Sequence, residues 1–100
     1  MSDMYDDVMR VENGEGTEQE YYLSIQRLVN SGTWGLQGSF GRSMMHAIKS
    51  GYVMLGTTDA RDYYGNHIPS RTQVKDGTHG SRSYVVSHMG EEWAKAMENA

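Results

Sequence analysis

Residues Ser31–Gly56 read SGTWGLQGSFGRSMMHAIKSGYVMLG, and they hold the only Phe, one of the two Trp and three of the eight Met of the chain. Within this stretch Gly32, Gly35, Gly38 and Gly41 recur every third residue. A collagen-like winding would need a long proline-rich repeat, which the chain lacks. The glycines instead predict tight backbone turns beneath Trp34 and Leu36. On that reading, valine at Gly38 or Gly41 costs about 1 kcal/mol or more wherever the native φ is positive. A helix is predicted to start at Ser39, because Phe40, Met44, Ala47 and Ile48 fall on one face. Lys49 suits its C-terminus and Gly51 its stop. Tyr52-Val53-Met54-Leu55 is then a buried connector or a further turn of helix.

The strongest local signal lies just upstream. Thr17-Glu18-Gln19-Glu20 has the Thr-x-x-Glu spacing of a capping box. Tyr21, Tyr22, Ile25, Leu28 and Val29 then form a stripe, and Asn30-Ser31-Gly32 ends it. A helix over about residues 18–30 follows. A shorter first helix is expected from a Ser2 or Asp3 cap, with Met4, Tyr5, Val8, Met9 and Val11 on one face.

Downstream, Thr58 is expected to cap a short helix over Asp59–Tyr64, ended by Gly65-Asn66. Ile68-Pro69 forces an extended step. Ser70-Arg71-Thr72-Gln73 matches a second capping box, with Gly77 closing a brief turn. Ser81 is expected to cap a final helix over about residues 82–98, in which Val86, Met89, Trp93 and Met97 make the apolar stripe. Gly90 inside that helix costs about 1 kcal/mol relative to Ala; two helices broken at Gly90 are the alternative. The fold class is therefore mainly α: residues 1–100 as a single small bundle of about four to five short helices with Gly-rich turns, and residues 1–16 as an acidic N-terminal segment prone to fraying.

Composition narrows the function classes. The absence of cysteine removes disulfide staples and thiolate metal sites. No apolar run approaches the ~20 residues that span a bilayer. The acidic start MSDMYDDVMR lacks the basic and apolar regions of a secretory signal, so a cytoplasmic location in the host cell is expected, with no membrane partner.

Chemistry-bearing motifs are scarce. Gly41-Arg42-Ser43 resembles the end of a phosphate loop, but the upstream glycine is replaced by Leu36 and the lysine by arginine. The start of the Ser39 helix offers backbone N–H groups to an anion, but plain turn chemistry is the reading the glycines favour. His46, His67, His79 and His88 show no i,i+3 or i,i+4 pairing, and His46 is read as a side chain at the edge of the core. Asp3, Asp6 and Asp7 lack the spacing and glycine of a calcium loop. No serine sits in a Gly-x-Ser-x-Gly elbow. The expectation is a protein without enzymatic activity, metal, cofactor or small-molecule ligand.

Charge layout is more informative. Asp3, Asp6, Asp7, Glu12, Glu15, Glu18 and Glu20 face a single base, Arg10, within the first twenty residues, although the whole chain carries only −4. Such an array can occupy a basic channel built for nucleic acid, so these seven acids are the candidate partner-binding residues; the alternative is that they only confer solubility. A second candidate surface mixes Tyr63, Tyr64 and Tyr84 with bases, and would contact nucleic acid through Arg61, Arg71, Lys75 and Arg82.

The overall character resembles small bacteriophage accessory proteins: a short, acidic, cysteine-free chain, rich in Tyr and Met, with dense turn-forming segments at Trp34–Gly56 and Asp62–Gly80. It is similar in that respect to the anti-CRISPR proteins directed against type I-F surveillance complexes, a class without a shared signature motif. The resemblance implies a stoichiometric inhibitor that binds a host ribonucleoprotein complex and blocks recognition of target DNA. A small nucleic-acid-binding regulator and a virion assembly component are the competing readings.

Overall fold

Thr17 starts the most regular part of the chain. In the computed structural model, which describes residues 4–35 and 38–100 and only the backbone of Met4, Gly38 and Ser39, helix α2 runs Glu18–Asn30. The Thr17 hydroxyl accepts from the Glu20 N–H (3.1 Å) and the Glu20 carboxylate accepts from the Thr17 N–H (2.8 Å). The capping box therefore forms as its spacing predicts. Helix α1, Met4–Asn13, packs against α2. The expected caps Ser2 and Asp3 lie outside the described residues.

The apolar stripe expected on α1 divides between two faces. Val8 and Val11 point into the core, while Tyr5 and Met9 stand exposed. The inward face instead takes Asp7, only 3% exposed.

A 3₁₀ turn over Thr33–Gly35 buries Trp34 and leads towards helix α3, Gly38–Lys49. Phe40, Met44, Ala47 and Ile48 are all buried, as the helical spacing requires. Tyr52 N–H bonds back to Ala47 C=O (3.0 Å) and Gly51 N–H to Ile48 C=O (3.2 Å), closing the helix as a Schellman motif. Gly51 has φ +82°, and a Cβ there would lie 2.7 Å from the His88 side chain. The triplet glycines are not alike: Gly32 has φ +72°, whereas Gly41 sits inside α3 facing open space. Valine at Gly41 meets none of the expected strain. Leu36 lies outside the described residues. His46, on the same helix, is exposed and not at the core edge.

Residues 52–56 form a buried connector. Val53, Met54 and Leu55 lack a neighbouring strand, and a side chain supplies the missing pairing. Fully buried Gln26 donates from Nε2 to Met54 C=O (2.9 Å) and accepts the Met54 N–H at Oε1 (2.8 Å). Leu55 N–H donates to Gly80 C=O (3.0 Å). Gly80 has φ +95°, and a Cβ on it would stand 2.5 Å from Leu55 Cδ1, so a larger residue cannot make this approach.

The helix expected over Asp59–Tyr64 does not form. Strands β1, Ala60–Arg61, and β2, His67–Ile68, make an antiparallel hairpin with Ala60 opposite Ile68 and Arg61 opposite His67. Asp62 decides the outcome. Its Oδ1 accepts the backbone N–H groups of Tyr64 (2.9 Å) and Asn66 (2.8 Å), holding the backbone in a turn in place of a helix. At the second predicted capping box, Gln73 Oε1 accepts the Ser70 N–H (2.8 Å), and Gly77 has φ +88°.

The last helix is broken. Ser81 caps α4, Arg82–Met89, and α5 runs Glu91–Glu98. Gly90 between them has φ +94°, a conformation no continuous helix admits, so the two-helix alternative is the one formed. Trp93 stays on the inner stripe and donates from Nε1 to Tyr52 C=O (2.8 Å). Ile25, Leu28, Met44, Ile48, Met54 and Met97 meet in one core between the helices. The protein is mainly helical, and no helix among the described residues is long and apolar enough to cross a membrane.

Candidate interaction surfaces

The seven N-terminal acids sort into different jobs. Asp7 is a structural residue. Its carboxylate accepts from Arg27 Nε (3.0 and 3.2 Å to the two oxygens) and from the Ser24 hydroxyl (2.9 Å). Arg10 Nη1 donates to the same Ser24 oxygen (3.2 Å). These four side chains button α1 to α2 and remove Asp7 from the surface, which corrects its assignment as a partner-binding acid. Glu20 is committed to the capping box, and the Thr17 N–H beside it holds its carboxyl below the ordinary range. Asp3 lies outside the described residues.

Asp6, Glu12, Glu15 and Glu18 are exposed. Tyr5, Met9 and Glu12 follow i, i+4, i+7 spacing on the outer face of α1, and Tyr5 is 69% exposed. An open groove of about 470 Å³ runs here, lined by Tyr5, Asp6, Met9, Arg10, Glu15 and Gly16. The surface thus pairs carboxylates with two exposed apolar side chains on a helix that Asp7 and Arg27 fix in place. The sequence pattern marked the acids but missed Tyr5 and Met9 as surface residues, because their spacing also fits a buried stripe.

The alternative basic surface is largely dismantled. Half-buried Arg71 donates from Nε to Leu55 C=O (2.8 Å) and from Nη2 to Asn30 Oδ1 (2.9 Å). Burial lowers its pKa from the ordinary arginine value. Arg82 is paired with Glu91 (2.6 Å) and Glu98 (3.3 Å). The hydrogen bond that Arg82 donates to Glu91 raises the Arg82 pKa and lowers that of Glu91. Neither arginine presents a free charge for phosphate. Arg61 and Lys75 are exposed, though Arg61 Nη1 donates to Gly65 C=O (2.9 Å) at the hairpin turn. Tyr84 donates its hydroxyl to Lys49 C=O (3.0 Å) and packs on His88, which ties it to α3.

The histidines remain scattered. His67 meets Asp59 (3.1 Å), His79 and His88 flank Tyr84, and His46 stands on α3. Among the described residues no three His, Asp or Glu side chains come close enough to share a metal ion. No family model, curated protein or solved structure matches this chain.

Proposed function

We propose that the protein is a non-enzymatic docking protein whose acidic α1–α2 hairpin binds a basic, nucleic-acid-binding surface on a larger host complex. The observation that carries this reading is the outer face of α1, where Asp6, Glu12 and Glu15 border the exposed side chains of Tyr5 and Met9. Carboxylates steer such a surface to a cationic channel and select it there. An exposed tyrosine and methionine supply the desolvated contacts from which most binding energy comes. The rigidity given by the Asp7–Arg27 button limits the ordering entropy lost on association.

Resemblance to type I-F anti-CRISPR proteins makes a CRISPR surveillance complex the target to test first, with inhibition of DNA recognition in the host cytoplasm as the consequence. The nucleic-acid-binding alternative is less favoured, because Arg71 and Arg82 are consumed inside the molecule. The test is direct binding to a purified type I-F complex by the wild type, by a triple variant Asp6→Lys, Glu12→Lys, Glu15→Lys, and by Tyr5→Ala. The triple variant is expected to bind at least about tenfold more weakly, with the loss greater at low salt. Unchanged binding by both variants removes the acidic hairpin from the mechanism. No binding by the wild type removes that target.

A further inference from the structure

A second groove, sharing no residue with the acidic hairpin, lies between α3 and the β1–β2 hairpin. It encloses about 230 Å³ and is walled by Trp34, Met45, Tyr63, Tyr64 and Ile68, with Arg42 at its edge. Tyr63 and Tyr64 meet edge to face at 5.2 Å and are 61% and 78% exposed. Two adjacent tyrosines turned to solvent from a tight turn gain little for the fold.

One charged side chain at this groove lacks a partner. Arg42 is exposed and makes no hydrogen bond or ion pair with a described residue, and neither tyrosine hydroxyl does. Arg42 can only donate, whereas each tyrosine hydroxyl can donate or accept. The one acidic side chain among the described lining residues, Asp62, keeps its negative charge but has its oxygens turned to the turn backbone: it accepts from Tyr64 N–H, Asn66 N–H and the Asn66 amide. Those bonds hold its carboxyl below the ordinary range, led by the Asn66 N–H. The groove therefore offers an apolar, aromatic wall beside one unpaired guanidinium, and it suits an apolar body that carries an acceptor anion.

Two kinds of ligand have that chemistry: a protein segment with an aromatic residue beside a carboxylate, and a nucleobase with its phosphate. A nucleic-acid strand repeats its charge at every nucleotide and needs a row of cations. Here Arg42 is the one cation among the described residues lining the groove, on a chain of net charge −4. A single carboxylate next to a single ring matches the charge available. Trp, Tyr and Arg are also the side chains that dominate protein–protein binding energy.

We infer that this groove is a docking site for a partner protein, and that it receives an aromatic side chain flanked by an acidic residue. This inference does not depend on the acidic hairpin, so either can fail alone. The probe is the peptide Ac-Phe-Asp-NH2, titrated into the full chain while backbone amide shifts are followed. Saturable shifts centred on Arg42, Tyr63 and Tyr64 are expected below about 10 mM peptide. The neutral Ac-Phe-Asn-NH2 and the ring-less Ac-Ala-Asp-NH2 are each expected to bind about tenfold more weakly. Arg42→Ala and Tyr64→Ala, both at exposed positions, are expected to weaken the acidic peptide by a similar factor while leaving the remaining amide spectrum intact. Absence of saturable shifts at these residues overturns the inference, as does equal binding of the neutral peptide or undiminished binding by Arg42→Ala. Tighter saturation of the same amides by a short oligothymidylate also overturns it, in favour of nucleic acid.

Discussion

The α1–α2 hairpin and the segment from residue 57 to residue 80 satisfy their backbones in opposite ways. In the hairpin, helical hydrogen bonds do so internally, and side chains are left to join one helix to the other: Asp7, Ser24 and Arg27 form a polar contact within an otherwise apolar seam. In residues 57–80 the regular structure amounts to two strands of two residues each. There the side chains bond to the backbone itself, with Asp62 on Tyr64 and Asn66, Gln73 on Ser70, and Arg71 on Leu55. A buried backbone group left unpaired is costly, so a loop with few ladder bonds draws in polar side chains to replace them. The consequence for function is direct. Asp62 and Arg71 in the loop are spent on structure, whereas the hairpin buries only Asp7 among its described acids and leaves the others on the surface.

The largest effect that tests this contrast is expected at Asp7. Asp7→Ala strands Arg27 and the Ser24 hydroxyl at the helix seam and is expected to cost about 3 kcal/mol, measured by denaturant unfolding. This is near the lower end for a buried pair, because the Arg27 side chain is 32% exposed and can regain water. A loss below about 0.5 kcal/mol would place the pair among surface salt bridges and reopen Asp7 as a binding residue.

Arg71→Ala comes next. It leaves Leu55 C=O without its guanidinium partner and is expected to cost about 2 kcal/mol. Reversing the charge instead, with Arg71→Glu, should destabilise further. A stable Arg71→Ala variant that loses affinity for nucleic acid would break the comparison, because the arginine would then be acting at the surface.

The smallest effect is the pH response of the β1–β2 turn. Asp62 has its carboxyl pKa lowered in the folded state by the Asn66 N–H, so its contribution is complete above the unfolded value and is lost as pH falls through the folded one. Amide shifts of Tyr64 and Asn66 should therefore move together between about pH 5 and pH 2, with a midpoint below the ordinary aspartate value. A midpoint at or above that value would show that the turn does not depend on the carboxylate.

The parts of the fold that local chemistry governs were readable from residue order alone. The Thr17 capping box, α2, the inner face of α3 and the stop at Gly51 all rest on interactions within one or two helical turns. The break at Gly90 was visible as an alternative, since the apolar stripe continues across it. The Asp59–Tyr64 segment misled, because Thr58 and the residues after it also satisfy a helix-start pattern. The competing Asp62 turn depends on where Asn66 returns.

The candidate surfaces divide in the same way. That the N-terminal fifth is acidic follows from composition. Which acid is buried does not, because Asp6 and Asp7 are adjacent and the choice depends on how Arg27 and Ser24 present themselves across the seam. Arg42, Tyr63 and Tyr64 each stand out in the sequence under other readings, but not as one groove, since it joins a helix to a hairpin some twenty residues further along the chain. The sequence by itself determined a mainly helical chain with a capped second helix and an acidic beginning, because capping, periodicity and charge are short-range properties. Only the tertiary structure decided which charges remain on the surface, because the partner that removes a charge from solvent is brought to it by packing rather than by neighbourhood in the chain.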